Sequence, residues 1–347
     1  MSTFKNSKFL IQCLNWEYWP WQIFYIPVYF YFLWLAVKSR SLFFFFNVNP
    51  KIESGGMLIE SKKKILDLLP ENLIPKTLFF NHPVSKDEII NAMESHSIHF
   101  PMIIKPDYGE RGKGVEKIED SVELAKYLDV NRLNIIIQEF INYPVELGIF
   151  YIRHPDKENG NITSIVKKKL LFIIGDGNSK VKDLIKQNPR ALIQLKDLEK
   201  RHPDLMNLIP GKNERIELVS IANHCRGTTF MDGNDLISKS LSKVIDDIGK
   251  NIEGFFYGRF DIRCKSINDL NEGKNFKILE LNGAKSEPAH IYHPGFSISQ
   301  AYKVVFDHWN EIYKIAHINR KMGIPFPSFR VGWTAWKKYL HYSKLKG

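Results

Sequence analysis

Short apolar runs along the chain predict β-strands that end in polar turns. One run covers residues 100 to 106, FPMIIKP, and residues 135 to 153 hold two runs separated by a turn at residues 142 to 144. Residues 255 to 264, FFYGRFDIRC, are rich in residues that favour strands. Residues 276 to 283, FKILELNG, form a further run. The strand periodicity of these runs therefore predicts where their charged residues point.

Two of these strands carry acidic side chains on predictable faces. Because side chains alternate along a strand, Arg259, Asp261 and Arg263 share one face. On the second strand, the same alternation puts four residues on one face: Phe276, Ile278, Glu280 and Asn282. A polar, turn-forming segment separates the two runs, so we expect adjacent antiparallel strands in which Asp261 faces Glu280 and Asn282.

This arrangement predicts a metal site. Carboxylates and an amide among buried strands cost free energy unless a cation meets them. Oxygen ligands suit Mg²⁺, which proteins hold with few carboxylates together with substrate phosphates. We therefore expect Asp261, Glu280 and Asn282 to hold a metal ion. The alternative is a solvated sheet face on which Asp261 pairs with an arginine.

A glycine-rich loop follows the first run and predicts a phosphate site. The strand delivers Lys105 into this loop, which carries Gly109, Gly112 and Gly114 in the stretch FPMIIKPDYGERGKGV. Glycines let backbone N–H groups approach an anion, and the lysine supplies a positive charge to phosphate oxygens. An ordinary glycine-rich turn is the alternative for this loop taken alone.

The turn within residues 135 to 153 has the features of a nucleotide-binding hinge. Glu139 and Glu146 flank it. A strand that ends in an exposed turn offers backbone groups to a flat heterocycle, and a carboxylate accepts from a ribose hydroxyl or an exocyclic amine. An edge-strand glutamate is more often solvated. The prediction of a hinge therefore depends on its position along the sequence relative to the other motifs.

An uncharged aromatic segment lies near the N-terminus. Residues 18 to 37, YWPWQIFYIPVYFYFLWLAV, are followed by Lys38 and Arg40. About twenty residues span a bilayer as a helix, but half of this segment is aromatic and two prolines interrupt it, which suits the membrane interface better. We expect a membrane-associated segment that lies on, re-enters or spans the membrane. A core helix or an oligomer contact is the alternative, and the basic tail at residues 333 to 347 either reinforces docking or is a solvated helix.

Composition and charge narrow the function classes. Of the 347 residues, 44% are hydrophobic and 13% aromatic, enough for a folded core and two or three subdomains. The scattered cysteines, Cys13, Cys225 and Cys264, predict no disulfide framework and fit a reducing compartment. The formal net charge of +11 suits nucleic acid, anionic lipid or a phosphate-rich substrate. Because no nucleic-acid-binding signature accompanies the charge, we expect no nucleic-acid partner.

The order of the motifs resembles that of the ATP-grasp superfamily, specifically the D-alanine-D-alanine ligase type. The resemblance covers residues 60 to about 295 and implies an α+β, ATP-grasp fold in which two α+β subdomains clamp ATP. We expect the aromatic segment, a linker and a reduced pre-grasp domain to precede this fold, with the segment and linker at residues 1 to 50. The first subdomain, with the phosphate loop, is expected at residues 51 to 135 and the second at 136 to 310, before a basic tail at 311 to 347.

The resemblance also implies a role for each motif residue. It implies that Lys105 contacts phosphate and that Arg259 steadies the transferred phosphoryl group. It places Mg²⁺, or Mn²⁺ in its place, on Asp261, Glu280 and Asn282. The ATP-binding residues that it implies are Lys62, Lys105, Gly109, Gly112, Gly114, Glu139, Phe140, Ile141 and Glu146. For the first of these, Lys62 competes with Lys63 and Lys64, and an exposed helix start is the alternative for all three.

Besides the missing or reduced N-terminal domain, whose place the aromatic segment takes, the chain departs from the family pattern in two regions. Residues 175 to 235 look like the middle segment of cyanophycin synthetase-like enzymes, where Arg226 and the two residues after it are expected to meet the acyl substrate or the phosphate, or to form a structural turn. The loop after ELNG reads AKSEPAHIYHPG, so specificity for D-alanine is not transferred. In that loop, His290 and His293 either orient an acceptor or are ordinary loop histidines.

The resemblance implies an ATP-dependent ligase that joins a small-molecule or lipid-linked carboxylate to an amine. The carboxylate takes the γ-phosphoryl group of ATP, the amine attacks the acyl phosphate, and ADP and phosphate leave. A catalytically silent, membrane-docked ATP-binding module and a small-molecule kinase are the alternatives. We expect the protein at the cytoplasmic face of the membrane, or otherwise in the cytoplasm, and an oligomer is left open.

Overall fold

Antiparallel sheets form the framework of the protein in a computed structural model that describes residues 8 to 58, 60 to 109 and 112 to 344. The strands are β1 (Thr77–Phe80), β2 (Met102–Pro106), β3 (Glu116–Ile118), β4 (Ile135–Glu139), β5 (Val145–Ile152), β6 (Asn161–Lys169), β7 (Phe172–Ile174), β8 (Arg215–Glu217), β9 (Thr229–Asp232), β10 (Tyr257–Cys264) and β11 (Phe276–Asn282). The first sheet has the order β1-β4-β2-β3 and the second the order β11-β10-β5-β6-β9. Strands β7 and β8 pair separately.

Helices cover these sheets and connect their strands. They are α1 (Lys8–Leu14), α2 (Trp21–Phe24), α3 (Ile26–Ser39), α4 (Lys62–Leu66), α5 (Lys86–Ser95), α6 (Ser121–Val130), α7 (Val181–Gln187), α8 (Pro189–Arg201), α9 (Lys239–Asn251), α10 (Ile267–Asn271), α11 (Ile298–Lys321) and α12 (Phe329–Lys344). Polar N-cap side chains accept hydrogen bonds from free backbone N–H groups in the first turns of many of these helices. These caps are Ser61, Ser85, Asp120, Asn188, Ser238, Ser266 and Ser297.

The two runs at residues 135 to 153 are confirmed as strands, and they belong to different sheets. Strand β4 lies inside the first sheet, between β1 and β2, whereas β5 lies inside the second, between β10 and β6. The turn between them is therefore the connection from one sheet to the other.

Strands β10 and β11 are confirmed as an antiparallel pair, and their register contains a bulge. Asp261 pairs with Glu280, but Ile262 pairs with Ile278. Leu279 is thus an extra residue on β11, as in a β-bulge.

The bulge reverses the side-chain alternation along β11. Phe276, Ile278 and Leu281 lie in the hydrophobic core behind the sheet. Glu280 and Asn282 instead contact polar side chains on the other side. The prediction that Phe276, Ile278, Glu280 and Asn282 share one face is therefore wrong, because one inserted residue changes the face of every residue after it.

The aromatic N-terminal segment forms two helices that pack on α11. Val28, Leu35 and Ala36 are buried on the inner side, while Phe30 and Val37 are exposed. Over the described ranges, no helix combines the length and the apolar character that crossing a membrane requires. The predicted segments at both ends of the chain also include residues 1 to 7 and 345 to 347, which lie outside the described ranges.

Candidate functional site

Lys105 links the two sheets at the centre of the site. It lies within β2 rather than in the loop, and only 6% of its surface is exposed. Its Nζ donates to Oε1 of Gln138 at 3.0 Å and to the carbonyl oxygen of Leu279 at 3.3 Å. Leu279 is the bulged residue of β11. Burial lowers the pKa of Lys105 to about 8, because the ammonium group is poorly solvated. Among the described residues, no carboxylate lies at hydrogen-bonding distance from it.

Of the three candidate lysines on α4, the structure places Lys62 at the site. Its Nζ donates to the carbonyl oxygen of Gly109 at 2.6 Å and lies 3.3 Å from Oε1 of Glu280. Lys63 and Lys64 form more exposed ion pairs elsewhere. Lys62 therefore joins the start of the glycine loop to the carboxylates of the second sheet.

Asp261 lies in a dense cluster of cations. Arg259 donates to its two oxygens at 3.0 and 3.3 Å, and Lys168 Nζ lies 3.3 Å from Oδ1. The Asn282 amide is 3.4 Å from Oδ2. Burial alone would raise the pKa of Asp261, but Arg259 and Lys168 outweigh it and hold the pKa below its usual range. The arginine pairing that the sequence left as an alternative is thus present.

Glu280 faces Asp261 across the two strands and completes an oxygen-rich group with Asn282. Burial and Asp261 act to raise the pKa of Glu280. Lys62 and Lys105 outweigh them and hold the pKa below its usual range, so the carboxylate stays ionised. In the part of the chain that the structure describes, no three His, Cys, Asp or Glu side chains converge as a metal-holding group. Two carboxylates and an amide nevertheless fit Mg²⁺ when phosphate oxygens supply further ligands.

The predicted hinge borders a cleft of about 910 Å³ between the sheets. The ring of Phe140 lies 4.6 Å from Lys117 Nζ and 5.5 Å from the guanidinium of Arg263. Glu139 lies beside it, and its carboxylate accepts from the backbone N–H of Lys76 at 3.3 Å. The cleft offers an aromatic face and polar groups for a flat, polar ligand.

Glu146, the predicted ribose ligand, is ion-paired in the same cleft. Arg263 Nε donates to it at 2.8 Å and Lys168 Nζ at 3.2 Å. Arg263 also donates to the carbonyl oxygen of Ile141 at 2.7 Å, so one predicted hinge carbonyl already has a partner. A carboxylate has about four acceptor positions, which leaves room for a hydroxyl at Glu146.

Arg226 reaches the glycine loop from the inserted region. It donates to the carbonyl oxygens of Gly112 at 2.8 Å and Val115 at 3.2 Å. Gly112 and Gly114 have φ of +67° and +69°, which residues with side chains rarely adopt, and a Cβ on Gly114 would lie 2.8 Å from Pro106. The sequence placed Arg226 near acyl substrate or phosphate, whereas here it binds the loop itself.

The two residues after Arg226 have structural roles. Gly227 has a φ of +93°, and a Cβ there would lie 2.8 Å from Leu171. Thr228 is fully buried, and its hydroxyl accepts from the backbone N–H of Asn223 at 2.9 Å. Both therefore fit the structural-turn alternative.

Sequence reasoning missed two charged residues of this site. Lys168 lies in the basic run of Lys167, Lys168 and Lys169, and strand alternation along β6 separates it from its two neighbours. Glu60 precedes Lys62, and burial raises its pKa to about 7, with the nearby Glu280 adding to the effect of burial. Its Oε2 has no hydrogen-bond partner among the described residues. No motif signalled Glu60.

The loop after β11 packs on the N-terminal segment. The Glu287 carboxylate accepts hydrogen bonds from Tyr25 and Tyr292, and its carbonyl oxygen accepts from Arg259 at 3.2 Å. His293 Nδ1 accepts from the backbone of Asp232, as an ordinary loop histidine does. His290 is buried and lines a second cavity of about 460 Å³.

Comparison with known proteins gives one family match. The model of the RimK-like ATP-grasp domain matches residues 59–149. These residues include Lys62, Lys105, the glycine loop and the hinge. The match confirms the resemblance to the ATP-grasp superfamily that the sequence motifs indicated.

Relatives and solved structures resemble the chain more distantly. Formate-dependent phosphoribosylglycinamide formyltransferases of Prochlorococcus marinus are 29% identical over 122 residues in strain AS9601 and 31% over 106 residues in strain MED4. These alignments cover 33% and 28% of this chain and 30% and 27% of the relatives, so the chain spans under a third of their length. D-alanine–D-alanine ligase from Bacillus anthracis is 11% identical, with a TM-score of 0.43 over 76% of this chain and 69% of its own. The bifunctional glutathione synthetase of Pasteurella multocida is 16% identical, with a TM-score of 0.37 over 71% and 35%.

Proposed function

We propose that this chain, which contains an ATP-grasp domain, is an ATP-dependent ligase that joins a carboxylate to an amine. The convergence of a buried lysine, a half-buried lysine and two acidic strands supports this proposal. Lys62 and Lys105 approach Glu280 from the first half of the chain, and Asp261 lies opposite Glu280 on β10. Such a set binds a polyphosphate together with its divalent cation.

The proposed reaction needs charge neutralisation and positioning rather than a protein nucleophile. The γ-phosphoryl group passes from ATP to the substrate carboxylate, and ADP leaves. An amine then attacks the acyl carbon, loses a proton and displaces phosphate, which leaves an amide. Lys62 and Lys105 would neutralise phosphate oxygens, and Arg259 would steady the transferred group.

Magnesium bound through Asp261, Glu280 and Asn282 would supply positive charge to the phosphates. Asp261 would exchange part of its contact with Arg259 and Lys168 for the ion. Arg259 and Lys168 would then contact the anionic oxygens of the bound substrate.

An isotope experiment tests the acyl-phosphate route. The full chain is incubated with ATP, Mg²⁺, candidate amines and a panel of amino acids carrying ¹⁸O in their carboxylates. We expect ADP, and phosphate with one ¹⁸O atom taken from the carboxylate. Release of AMP and pyrophosphate would contradict the proposal.

Two variants link the chemistry to the site. Glu280→Gln is expected to lower turnover by at least about a hundredfold, because it removes a charge that would hold the metal ion. Glu272→Gln is the matched control, since Glu272 is exposed and pairs only with nearby Lys274 among the described residues.

The same assay separates the two alternative functions. A small-molecule kinase would give a stable phosphorylated product with no amide. A silent ATP-binding module would bind ATP without turnover and would keep its cellular role in the Glu280→Gln variant. Mass spectrometry of ligand that co-purifies with the protein would identify the substrate class.

The cytoplasmic face of the membrane remains the proposed place of action, with a lipid-linked substrate as one class to include in the panel. The support for this location is the exposed apolar surface of the N-terminal segment, where Phe30 and Val37 are 71% and 77% exposed.

A further inference from the structure

Helix α3 has an outer face that is apolar although it faces solvent. Its exposed residues recur at helical spacing and are Ile26, Tyr29, Phe30, Leu33, Trp34 and Val37. The opposite side, including Val28 and Leu35, packs on α11. The helix contains no acidic residue, and its only charged residue is Lys38 near the C-terminal end. Large contiguous apolar surfaces of this kind mark sites of association.

Helix α12 repeats this pattern at the other end of the chain. Its exposed apolar residues are Phe329, Val331, Trp333, Trp336 and Leu340. The helix sequence FRVGWTAWKKYLHYSK also contains no acidic residue. It does contain Arg330, Lys337 and Lys338 among the exposed positions.

Helix α12 packs against Phe43, which follows α3 in the chain. The Phe43 ring lies 6.0 Å from that of Phe329, and a Cβ on Gly332 would overlap it. Phe43 belongs to the same hydrophobic cluster as Leu35 and Ala36 of α3. We call the exposed apolar residues of α3 and α12 the aromatic face. Most of the exposed large apolar side chains in the described ranges lie in residues 9 to 42 and 329 to 340.

We propose that the aromatic face docks on the surface of an anionic lipid bilayer. Tryptophan, tyrosine and phenylalanine favour the membrane interface, and lysine and arginine beside them attract anionic headgroups. Lys38 lies between the rings of Trp34 and Tyr313, with its Nζ 5.1 and 4.9 Å from their centres, so its charge is held at the edge of the face.

The charges of the face favour lipid over a second copy of the chain. In a symmetric dimer, the same surface meets itself, so Lys38 and Lys337 would approach like charges without acidic partners in α3 or α12. An anionic lipid surface supplies the missing negative charge. The apolar residues and the cations are then both accommodated by one partner.

Helix α12 also connects the face to the candidate site. The ring of Tyr342 stacks on that of Tyr108 at 4.8 Å, and Lys338 Nζ lies 5.4 Å from the Tyr108 ring. Tyr108 directly precedes Gly109 of the glycine loop. Lys285, on the loop after β11, lies 5.1 Å from the ring of Tyr339. A docked α12 would therefore hold the rim of the site at the lipid surface.

Co-sedimentation of the full chain with lipid vesicles tests the proposal. We expect binding to vesicles of phosphatidylcholine with one quarter phosphatidylglycerol, weaker binding to phosphatidylcholine alone, and release as salt rises. The double variant Phe30→Ser/Val37→Ser is expected to lose at least tenfold in vesicle affinity. Arg330→Gln and Lys337→Gln are each expected to cost about fivefold, the equivalent of about 1 kcal/mol per charge.

Matched controls come from α6, far from the face in sequence. Val122 and Val130 are 59% and 79% exposed, so Val122→Ser/Val130→Ser also removes two exposed apolar side chains, and Lys126→Gln removes an exposed charge. These variants are expected to bind vesicles as the unaltered chain does. Equal losses in both sets, or no vesicle-dependent sedimentation, would overturn the proposal.

Two further measurements separate the remaining outcomes. A concentration-dependent dimer in the absence of lipid, broken by Phe30→Ser/Val37→Ser, would assign the face to a second copy and overturn lipid docking. ATP binding is measured on each variant without vesicles, to show that each variant is folded. Docking does not depend on the proposed ligase activity. A chain that docks on vesicles but has no turnover would contradict only the proposed function.

Discussion

Buried charge decides the character of the candidate site at the scale of single residues. Lys168 is the centre of this charge, since its side chain is 6% exposed and contacts both Glu146 and Asp261. Burial alone would lower the pKa of Lys168, but the two carboxylates raise it. Lys168 thus depends on two carboxylates, Glu146 and Asp261, that a substrate or metal ion would also contact.

Removing Lys168 is expected to destabilise the fold. Lys168→Met would leave Glu146 and Asp261 buried with less compensation, which costs about 3 to 5 kcal/mol for a broken buried pair. Lys167→Met is the neighbouring control, because Lys167 pairs with the exposed Asp235 and such pairs contribute at most about 1 kcal/mol. Urea unfolding monitored by circular dichroism measures both. Similar losses in the two variants would contradict the central position of Lys168.

The pKa of Lys105 predicts how ATP binding depends on pH. Below about 8 the side chain is charged and attracts phosphate, and above it the neutral amine does not. We therefore expect the dissociation constant of ATP to rise by up to about tenfold from pH 7 to pH 9. Calorimetry measures it, with adenosine as the control that lacks phosphates. A Lys105→Met variant that keeps the same step at pH 8 would refute this assignment.

At the scale of helices and strands, the connections between elements bring the site residues together. The β4–β5 turn carries the chain from the first sheet to the second, and the bulge at Leu279 turns Glu280 toward the site. The same bulged residue provides the carbonyl oxygen that Lys105 contacts. The inserted region adds Arg226, which crosses to the glycine loop.

Arg226 is expected to hold the glycine loop closed. Arg226→Ala removes two hydrogen bonds to loop carbonyls, so trypsin should cut at the exposed Lys113 at least about fivefold faster than in the unaltered chain. Arg132→Ala is the control, since Arg132 is exposed and also donates to two backbone carbonyls, those of Leu128 and Asn131. A non-hydrolysable ATP analogue should protect the loop. Unchanged cleavage in Arg226→Ala would show that the arginine does not hold it.

At the scale of the whole molecule, ATP would connect the two sheets. Lys105 reaches from the first sheet to the second through Leu279, and Lys62 reaches Glu280. A ligand bound to both sides stabilises the folded chain as a unit, because it binds the folded state only.

Nucleotide is therefore expected to raise the melting temperature. At a concentration one hundred times its dissociation constant, ATP adds about 2.7 kcal/mol to the free energy of unfolding. We expect Mg²⁺ to increase the ATP-dependent shift in the unaltered chain but not in Glu280→Gln, as measured by scanning calorimetry. Equal Mg²⁺-dependent shifts in both would place the metal ion elsewhere.

Much of the site followed from local sequence, because strand alternation and motif order are local properties. Asp261 and Arg259 were correctly placed on one face of β10, and the turn between β4 and β5 was correctly located. The roles of the site residues toward ATP and metal stay predictions. Glu60 and Lys168 were missed, since each belongs to the site only through residues distant in sequence.

The sequence by itself determined the strands that carry the site, the glycine loop and the ATP-grasp resemblance, because these depend on residue type and spacing over short stretches. Only the tertiary structure decided the rest. It placed a bulge in β11, which reverses the predicted faces, and it chose Lys62 over its two neighbours by bringing Glu280 within 3.3 Å. It also brought Phe329 of α12 to the ring of Phe43, which follows α3, and no local pattern encodes a contact between residues so far apart in sequence.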